Sequence, residues 1–499
     1  MQCLFINPEF PDTFWSFRHA LSFTKRKAAL PPLGLLTVAA LLPAAWPKRL
    51  VDLNVRGLSA EDLAWAETVF IGGMSVQGPS AKLAIRHCRE AGLRVVAGGP
   101  LFTMEPERWP EVDHLVLGEA ELSLPPFLAD LAAGRARHLY EAVGRAELAQ
   151  SPVPLWELAR LEDYMTASLQ VTRGCPYDCD FCNVTGLLGR HPRRKTTAQV
   201  LQELNLLWEM GWRKGVFFVD DNFIGQRPLV QRELIPALLD WRRAGPGGRP
   251  RRGMPFNTQV SIDLADDPEL LRGMVQAGFD AVFIGLETTE EESLAECHKR
   301  QNLGRDLGAD VRRIQRAGLQ VQGGFIVGFD HDGAGIFKRQ LDFIQRSGIV
   351  TAMVGLLQAP PGTRLHERLS AEGRLTERDW GDNADGGTNI VPRMDLSLLR
   401  AGYFSLMRRL YTPSVYYARI RGFLREYRPA GVRAPLDRDR LTAFLRSLWR
   451  LGVLGRERFH YWRLLQWTLL HRPRSLQMAV TLAIYGRHFR RVCELHLKG

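Results

Sequence analysis

Three cysteines carry the sharpest chemistry in this sequence. VTRGCPYDCDFCNV places Cys175, Cys179 and Cys182 in a C-x3-C-x2-C loop, directly after an apolar run that reads as a strand. Thiolates at this spacing can converge on one cubane iron–sulfur cluster and leave one iron open to a substrate or cofactor. Zinc is the competing chemistry, but a structural zinc asks for a fourth Cys or His in a closed tetrahedron. His191 is near, with Pro192 and a basic run behind it. Three clustered structural cysteines are the remaining reading. Cys3, Cys88, Cys297 and Cys493 are isolated and read as core or surface thiols. Seven cysteines, odd in number and uneven in spacing, are too few for a disulfide scaffold and point to metal or catalytic use in a reducing compartment.

Two series of elements must position this loop. Upstream, residues 2–7, 48–54, 68–75, 94–99 and 114–118 are short apolar runs separated by helix-length segments such as PSAKLAIRHCREAG. Buried parallel strands alternating with helices make an open α/β sheet that binds ligands at the strand carboxyl ends. Residues 1–145 are therefore expected to form a Rossmann-like domain. The stretch 146–165, containing SPVPLWELARLEDY, is proline-punctuated and reads as a linker. Strand candidates follow at 167–172, 215–219, 256–261, 281–286, 319–327 and 350–357. Six βα units over 166–375 predict a partial (β/α)6 barrel with its active site at the strand carboxyl ends. Residues 376–499 read as a mainly helical domain, broken at PAGVRAP (429–435). The fold class is α/β with this helical extension.

Length and composition bound the rest. At 499 residues the chain has more than one core, and 45% hydrophobic with 24% charged residues excludes a disordered chain. The mean hydropathy is −0.16, and no apolar run reaches the roughly 20 residues that cross a bilayer. MQCLFINPEF has no basic region ahead of its apolar stretch and reads as mature protein, so cytoplasmic residence is expected. The net charge is +12, and the last 124 residues carry 23 Lys and Arg against 10 Asp and Glu. That asymmetry fits an anionic partner, or an arginine-rich composition with no partner at all.

The cysteine loop, with an aromatic residue just before its last cysteine and a βα series behind it, resembles the radical S-adenosylmethionine (SAM) superfamily. The resemblance implies that the unique iron chelates SAM, and that an electron from the cluster cleaves it to a 5′-deoxyadenosyl radical. By the same resemblance VDDNF offers Asp220, Asp221 and Asn222 to the methionyl ammonium, a pairing that suits carboxylates, although an exposed acidic turn would look the same. Gln259 and Ser261 stand where ribose contacts are usual, IGLE puts Glu287 at a strand end, and Lys299 or Arg300 is placed to bind the methionyl carboxylate. GGFIVGF, with Gly324 and Val327, resembles the adenine-contacting strand, where small residues admit a flat base. Phe181 would contribute backbone to the adenine, and Tyr177 reads as packing.

A Rossmann-like domain ahead of such a core is similar to the cobalamin-binding subgroup. PPLGLLTVAALLP, GGMSVQ, AGGP and LGEAE stand where that subgroup's cobalamin-contacting loops stand, implying Met74, Ser75, Gln77, Gly98, Gly99, Gly118 and Glu119. Glycine turns after strands also serve nucleotides or nothing. The chain lacks Asp-x-His-x-x-Gly, the pattern that supplies a lower axial histidine to many cobalamin proteins; His87 and His114 have the wrong spacing. Across nearly its whole length the chain resembles the family that includes the hopanoid C-2 methylases, through PEFPDTFWSFRHAL, CDFCNVTGLLGRHPRRKT and LLQAPPGTRLHERL and a carboxyl-terminal extension.

The resemblance implies a methyltransferase in which the adenosyl radical abstracts hydrogen from an unactivated carbon and the substrate radical takes methyl from methylcobalamin, with a flavodoxin or ferredoxin as electron donor. A radical SAM enzyme of another outcome (oxidation, cyclisation, rearrangement) shares every core motif. A non-catalytic metal-binding protein is the third reading. RFHYWRLLQWTLLHRPRSLQMAVTLAIYGRHFRR (458–491) has the composition of an interfacial helix on anionic lipid, which would suit a lipid-like substrate and peripheral membrane contact. An amphipathic helix pair packing on the barrel has the same composition. No nucleic-acid-binding module is present, so nucleic acid is not expected.

Overall fold

The computed structural model describes residues 1–378, 380–382, 384–429 and 438–496. The chain divides into two compact units: residues 1–11, 27–175 and 183–212, and residues 12–26, 176–182 and 213–499.

The first unit is built on β1 (Cys3–Asn7), β2 (Lys48–Asp52), β3 (Thr68–Gly72), β4 (Arg94–Gly98), β5 (His114–Leu117) and β6 (Leu139–Glu141). All are parallel, in the order β2-β1-β3-β4-β5-β6. Their near-continuous Val, Ile, Leu and Phe follow from burial on both faces. Leu4, Ile6, Val69 and Ile71 pack with Ala81, Ile85 and Cys88 of the helix Gly78–Glu90. On the other side Phe5, Phe70 and Val96 meet Leu35 and Ala39 of the helix Leu33–Leu41. The order reverses between β1 and β3, which opens a crevice at the strand carboxyl ends. The connecting stretch 146–165 forms three single turns ordered against this unit, with Trp156 fully buried and the Tyr164 hydroxyl donating to Asp52 at 3.0 Å. After β7 (Ala167–Leu169), β8 (Thr172–Arg173) pairs antiparallel with β9 (Arg193–Arg194), the two strands flanking the cysteine loop in sequence.

In the second unit β10 (Val216–Phe218), β11 (Phe256–Gln259), β12 (Phe279–Glu287), β13 (Gln320–Val327) and β14 (Ala352–Leu356) pair in chain order, all parallel. This is the βα series of the partial barrel. Its helices Pro268–Ala277, Leu307–Ala317 and Ile336–Ser347 each end at a left-handed glycine, Gly278, Gly318 and Gly348; a side chain there would strain the stop that returns the chain to the sheet. Phe218, Phe223, Phe256 and Phe279 form an aromatic core beneath β10–β12. The carboxyl-terminal region is helical as expected: Leu396–Leu410, Pro413–Glu426, Arg438–Ser447 running on through Leu448–Val453, Arg458–His471 and Leu476–His496. Segment 12–26 belongs here, with Phe14 and Phe17 against Phe489 and His488. Burial pushes the His488 imidazole down to about 4. Among the described residues no helix is long and apolar enough to cross a membrane.

Candidate active site

The end of β12 is deformed. Its register with β13 slips between Gly285 and Glu287, and Glu287 takes a φ of +61°, a backbone state that costs a non-glycine residue roughly 1–3 kcal/mol. Such irregularities re-aim side chains, and here the Glu287 carboxylate meets the Lys299 ammonium at 2.6 Å. Lys299 reaches it because the chain turns back after the helix Glu291–Glu296, with His298 at φ +53° and the Lys299 amide donating to Leu294 O at 2.9 Å. A Cβ on Gly285 would stand 2.3 Å from the Glu287 carboxylate and 2.9 Å from Lys299 Nζ, so the glycine of IGLE is what leaves room for the pair. Burial works against the Lys299 ammonium, but Glu287 and the thiols of Cys179 and Cys182 hold its pKa above the ordinary lysine value. Its Nζ also lies 5.9 Å from the Phe181 ring centre.

The cysteine loop is fastened onto this corner. Asp180 N donates to Cys297 O, and its carboxylate pairs with His298 at 2.9 Å and Arg364 at 2.7 Å. Phe181 packs edge-on against Phe329. Gln301 Nε2 approaches Cys179 Sγ to 3.8 Å; burial pushes this thiol up, while Lys299 and the Gln301 contact favour its thiolate. Gln301 Oε1 and Asn302 Oδ1 are buried with no hydrogen-bond partner. In the first unit, Gly174 at φ +99° brings its backbone so near Gly189 O that a Cβ would collide at 2.8 Å, and Cys175 N donates to that carbonyl. Among the described residues no three His, Cys, Asp or Glu side chains are grouped around a single-ion position.

At the ends of β10 and β11, Asn222 and Ser261 exchange hydrogen bonds: Asn222 Nδ2 donates to Ser261 Oγ at 3.2 Å, and Ser261 N donates to Asn222 Oδ1 at 3.3 Å. Gln259 O accepts from Phe223 N. Asp220 is fully buried and Asp221 partly exposed. Tyr177 donates to Asp263 at 2.9 Å, and burial lifts its phenol to about 12. Gly324 lies beside Gly285 across the β12–β13 ladder, where a Cβ would touch the Phe283 ring at 2.9 Å; Val327 is buried.

In the first unit the glycine loops stand at the carboxyl ends of β3, β4 and β5. Met74 is 52% exposed, whereas Gln77 is buried and spent on the loop: its Oε1 accepts from Met74 N and its Nε2 donates to Asn7 and Pro8. Ser75 opens the single turn Ser75–Gln77. A Cβ on Gly98 would collide with Val116 O, and Gly99 and Gly118 adopt positive φ. Glu119 is buried against Arg173 at 2.9 Å and Arg193 at 2.8 Å, and Glu121 against Arg173 at 2.8 Å.

Residues 169–344 match the model of the radical SAM superfamily, and residues 363–499 match a domain of unknown function (DUF4070). A methyltransferase of Synechocystis sp., itself uncharacterized, is 38% identical over 502 residues, covering 99% of this chain and 92% of that protein. The hopanoid C-2 methylase of Rhodopseudomonas palustris is 32% identical over 476 residues, covering 92% and 88%. The chain belongs to the radical SAM superfamily, in the family of the hopanoid C-2 methylase. The fold is shared with the cobalamin-dependent SAM radical enzyme OxsB (TM-score 0.62, 15% identity, 100% of this chain and 80% of that one) and with the radical SAM methyltransferase TsrM from Kitasatospora setae (TM-score 0.60, 16% identity, 98% and 100%).

A radical SAM enzyme works with a 4Fe–4S cluster and SAM, and the residues here fit them. Cys179 is a soft donor with a lysine and an amide beside its sulfur, and the buried side-chain oxygens of Gln301 and Asn302 nearby have no hydrogen-bond partner. Of the residues singled out in the sequence, the structure brings Phe181, Glu287 and Cys179 to one corner and Asn222, Gln259 and Ser261 to another edge of the same sheet. Lys299 turns inward, whereas Arg300 is exposed. The sequence does not single out Gln301, Asn302, Asp180 or Arg364: the first three have only their nearness to Lys299 or to the cysteines as a signal, and Arg364 is far from both in the chain and meets Asp180 only through the fold.

Proposed function

We propose that this radical SAM enzyme methylates an unactivated carbon of a lipid-like, polycyclic substrate with cobalamin as methyl carrier, drawing electrons from a flavodoxin or ferredoxin and working at the inner face of a membrane. The observation that carries this reading is the similarity to the hopanoid C-2 methylase along 92% of the chain; the fold likeness to cobalamin-bound OxsB and TsrM supports the cobalamin. When bound, the cluster with SAM supplies hydrogen-atom abstraction and cobalamin supplies the methyl group.

The chain's own residues supply ligands, position and exclusion of water. Cys175, Cys179 and Cys182 would hold the cluster, and Lys299 offsets thiolate charge at Cys179 and Cys182. The Asn222–Ser261 pair, Gln259, Asp220 and Asp221 form the polar edge that orients SAM, with Phe181, Gly324 and Val327 making the flat apolar wall its base requires. Glu287 fixes Lys299. In the first unit the loops carrying Met74, Ser75, Gly98, Gly99 and Gly118 at the carboxyl ends of β3, β4 and β5 would receive the corrin, and Gln77 and Glu119 hold those loops in place. Holding the reacting groups in register is the protein's main contribution to rate.

The test is a reaction under anaerobic conditions with hydroxocobalamin, a reducing system, pentacyclic triterpenes and SAM labelled in its methyl group. Labelled methyl in the lipid together with 5′-deoxyadenosine is expected. Deoxyadenosine formed with the lipid consumed but unmethylated would overturn methylation in favour of another radical outcome.

A further inference from the structure

An ordinary helix on a globular surface buries its apolar stripe and shows its charges to water. The helix Arg438–Ser447 with its continuation Leu448–Val453 does the reverse. Leu441, Leu445, Trp449 and Val453 recur every fourth residue and are 48–59% exposed. The inward face is held by polar contacts: Arg446 donates to Thr24 O at 2.6 Å, Arg450 to Ser22 O at 3.1 Å, and Asp439 pairs with Arg26 and Lys214. Trp462, whose Nε1 donates to Gly452 O at 2.9 Å, and Phe459, 75% exposed, carry the stripe onto the helix Arg458–His471. Of the twenty large apolar side chains exposed among the described residues, nine lie between Leu441 and Leu470. The helix Leu476–His496, by contrast, buries ten residues, so within 458–491 the exposed large apolar residues are those of the helix Arg458–His471.

The charges around the stripe are of one sign. Residues 438–476 contain nine arginines and two acids, and both acids are in ion pairs, Glu457 with Arg490 at 2.8 Å. Arg456, Arg458 and Arg463 are exposed. A second copy of this face would set basic rim against basic rim, which disfavours self-association. Exposed Trp and Leu within an arginine rim is the composition that settles into the headgroup boundary of anionic lipid. We infer that the face formed by Leu441, Leu445, Trp449, Val453, Phe459 and Trp462 docks on the surface of an anionic phospholipid bilayer. This names the surface for the membrane-side reading above and rests on that reading only for its purpose.

The test is binding of the full chain to phosphatidylcholine vesicles with and without phosphatidylglycerol. Binding to the anionic vesicles, weakened by salt, is expected. The double variant Leu445→Glu/Trp449→Glu should lose roughly tenfold or more in affinity, whereas Leu83→Glu, at an exposed leucine of the first unit, should bind as the parent. Arg456→Glu/Arg463→Glu supplies a second variant that leaves the apolar stripe intact. No binding to anionic vesicles, or binding equal to the parent's by both double variants, overturns the inference. So does a dimer abolished by Leu445→Glu/Trp449→Glu without vesicle binding, which assigns the face to a second copy. Methyl transfer to detergent-dispersed substrate is read separately, so failure of the surface and failure of the reaction are distinguishable.

Discussion

The carboxylate of Glu287 sits 2.6 Å from the Lys299 ammonium while its own backbone is held at φ +61°. Neither side chain is more than 12% exposed. A strained residue, a slipped register and a glycine whose missing Cβ leaves room for both side chains thus converge on one ion pair beside the cysteine loop.

Removing one partner of a buried pair strands the other charge, so Lys299→Met should cost about 3–5 kcal/mol of stability and weaken SAM binding. Glu287→Gln, which keeps shape and a hydrogen bond, should cost less. Gly285→Ala should cost less than Lys299→Met, because its Cβ meets the flexible ends of both side chains and displaces the pair without stranding a charge. Thermal melts and SAM binding by the anaerobic protein measure all three; unchanged melting of Lys299→Met would show that the pair contributes nothing.

Asp332 gives a pH dependence. It accepts hydrogen bonds from Gly328 N, Phe329 N and Ser293 Oγ, yet burial raises its carboxyl from the ordinary 3.8 to about 6. Between these values the folded state binds more protons than the unfolded one, so this contribution is present below pH 3.8 and is lost as pH rises through about 6. Asp332→Asn should flatten the change in stability across that window, measured by denaturant unfolding at a series of pH values. An identical pH profile in the variant would contradict the assignment.

Arg173 stands two residues before Cys175 and joins Glu119 and Glu121, with Arg193 closing the network. Burial opposes the Glu121 charge, but Arg173 holds its carboxyl below the usual range. Arg173→Met should therefore destabilise by about 3–5 kcal/mol and lower the iron retained on purification. Iron content equal to the parent's would confine Arg173 to the stability of the first unit.

Much of this was legible in the sequence because its elements are extreme cases. Strands such as VFIGL and QVQGGFIV are apolar runs of strand length ending at glycine or acid, so β12 and β13 and their ligand-facing ends could be read directly. β6 could not, because LYE has a single buried residue, Tyr140. Glu287 was readable as a strand end, but its left-handed backbone follows from tertiary packing that no local pattern records. The resemblance implies Gln77 and Glu119 as cobalamin contacts, yet whether such a side chain faces a ligand or closes its own loop depends on partners 70 and 54 positions away. Composition alone does not show which arginine-rich helix turns its apolar residues outward: exposed Phe459 and Trp462 fall within 458–491, whereas exposed Leu441, Leu445, Trp449 and Val453 precede it.

The most direct test of the central claim is quantification of iron, sulfide and cobalt in the chain purified anaerobically with hydroxocobalamin, beside the variant Cys179→Ala. About four irons and about one cobalamin per parent chain are expected, with iron and deoxyadenosine formation lost and cobalamin kept in the variant. Zinc in place of iron, or SAM cleavage persisting in Cys179→Ala, would contradict the account.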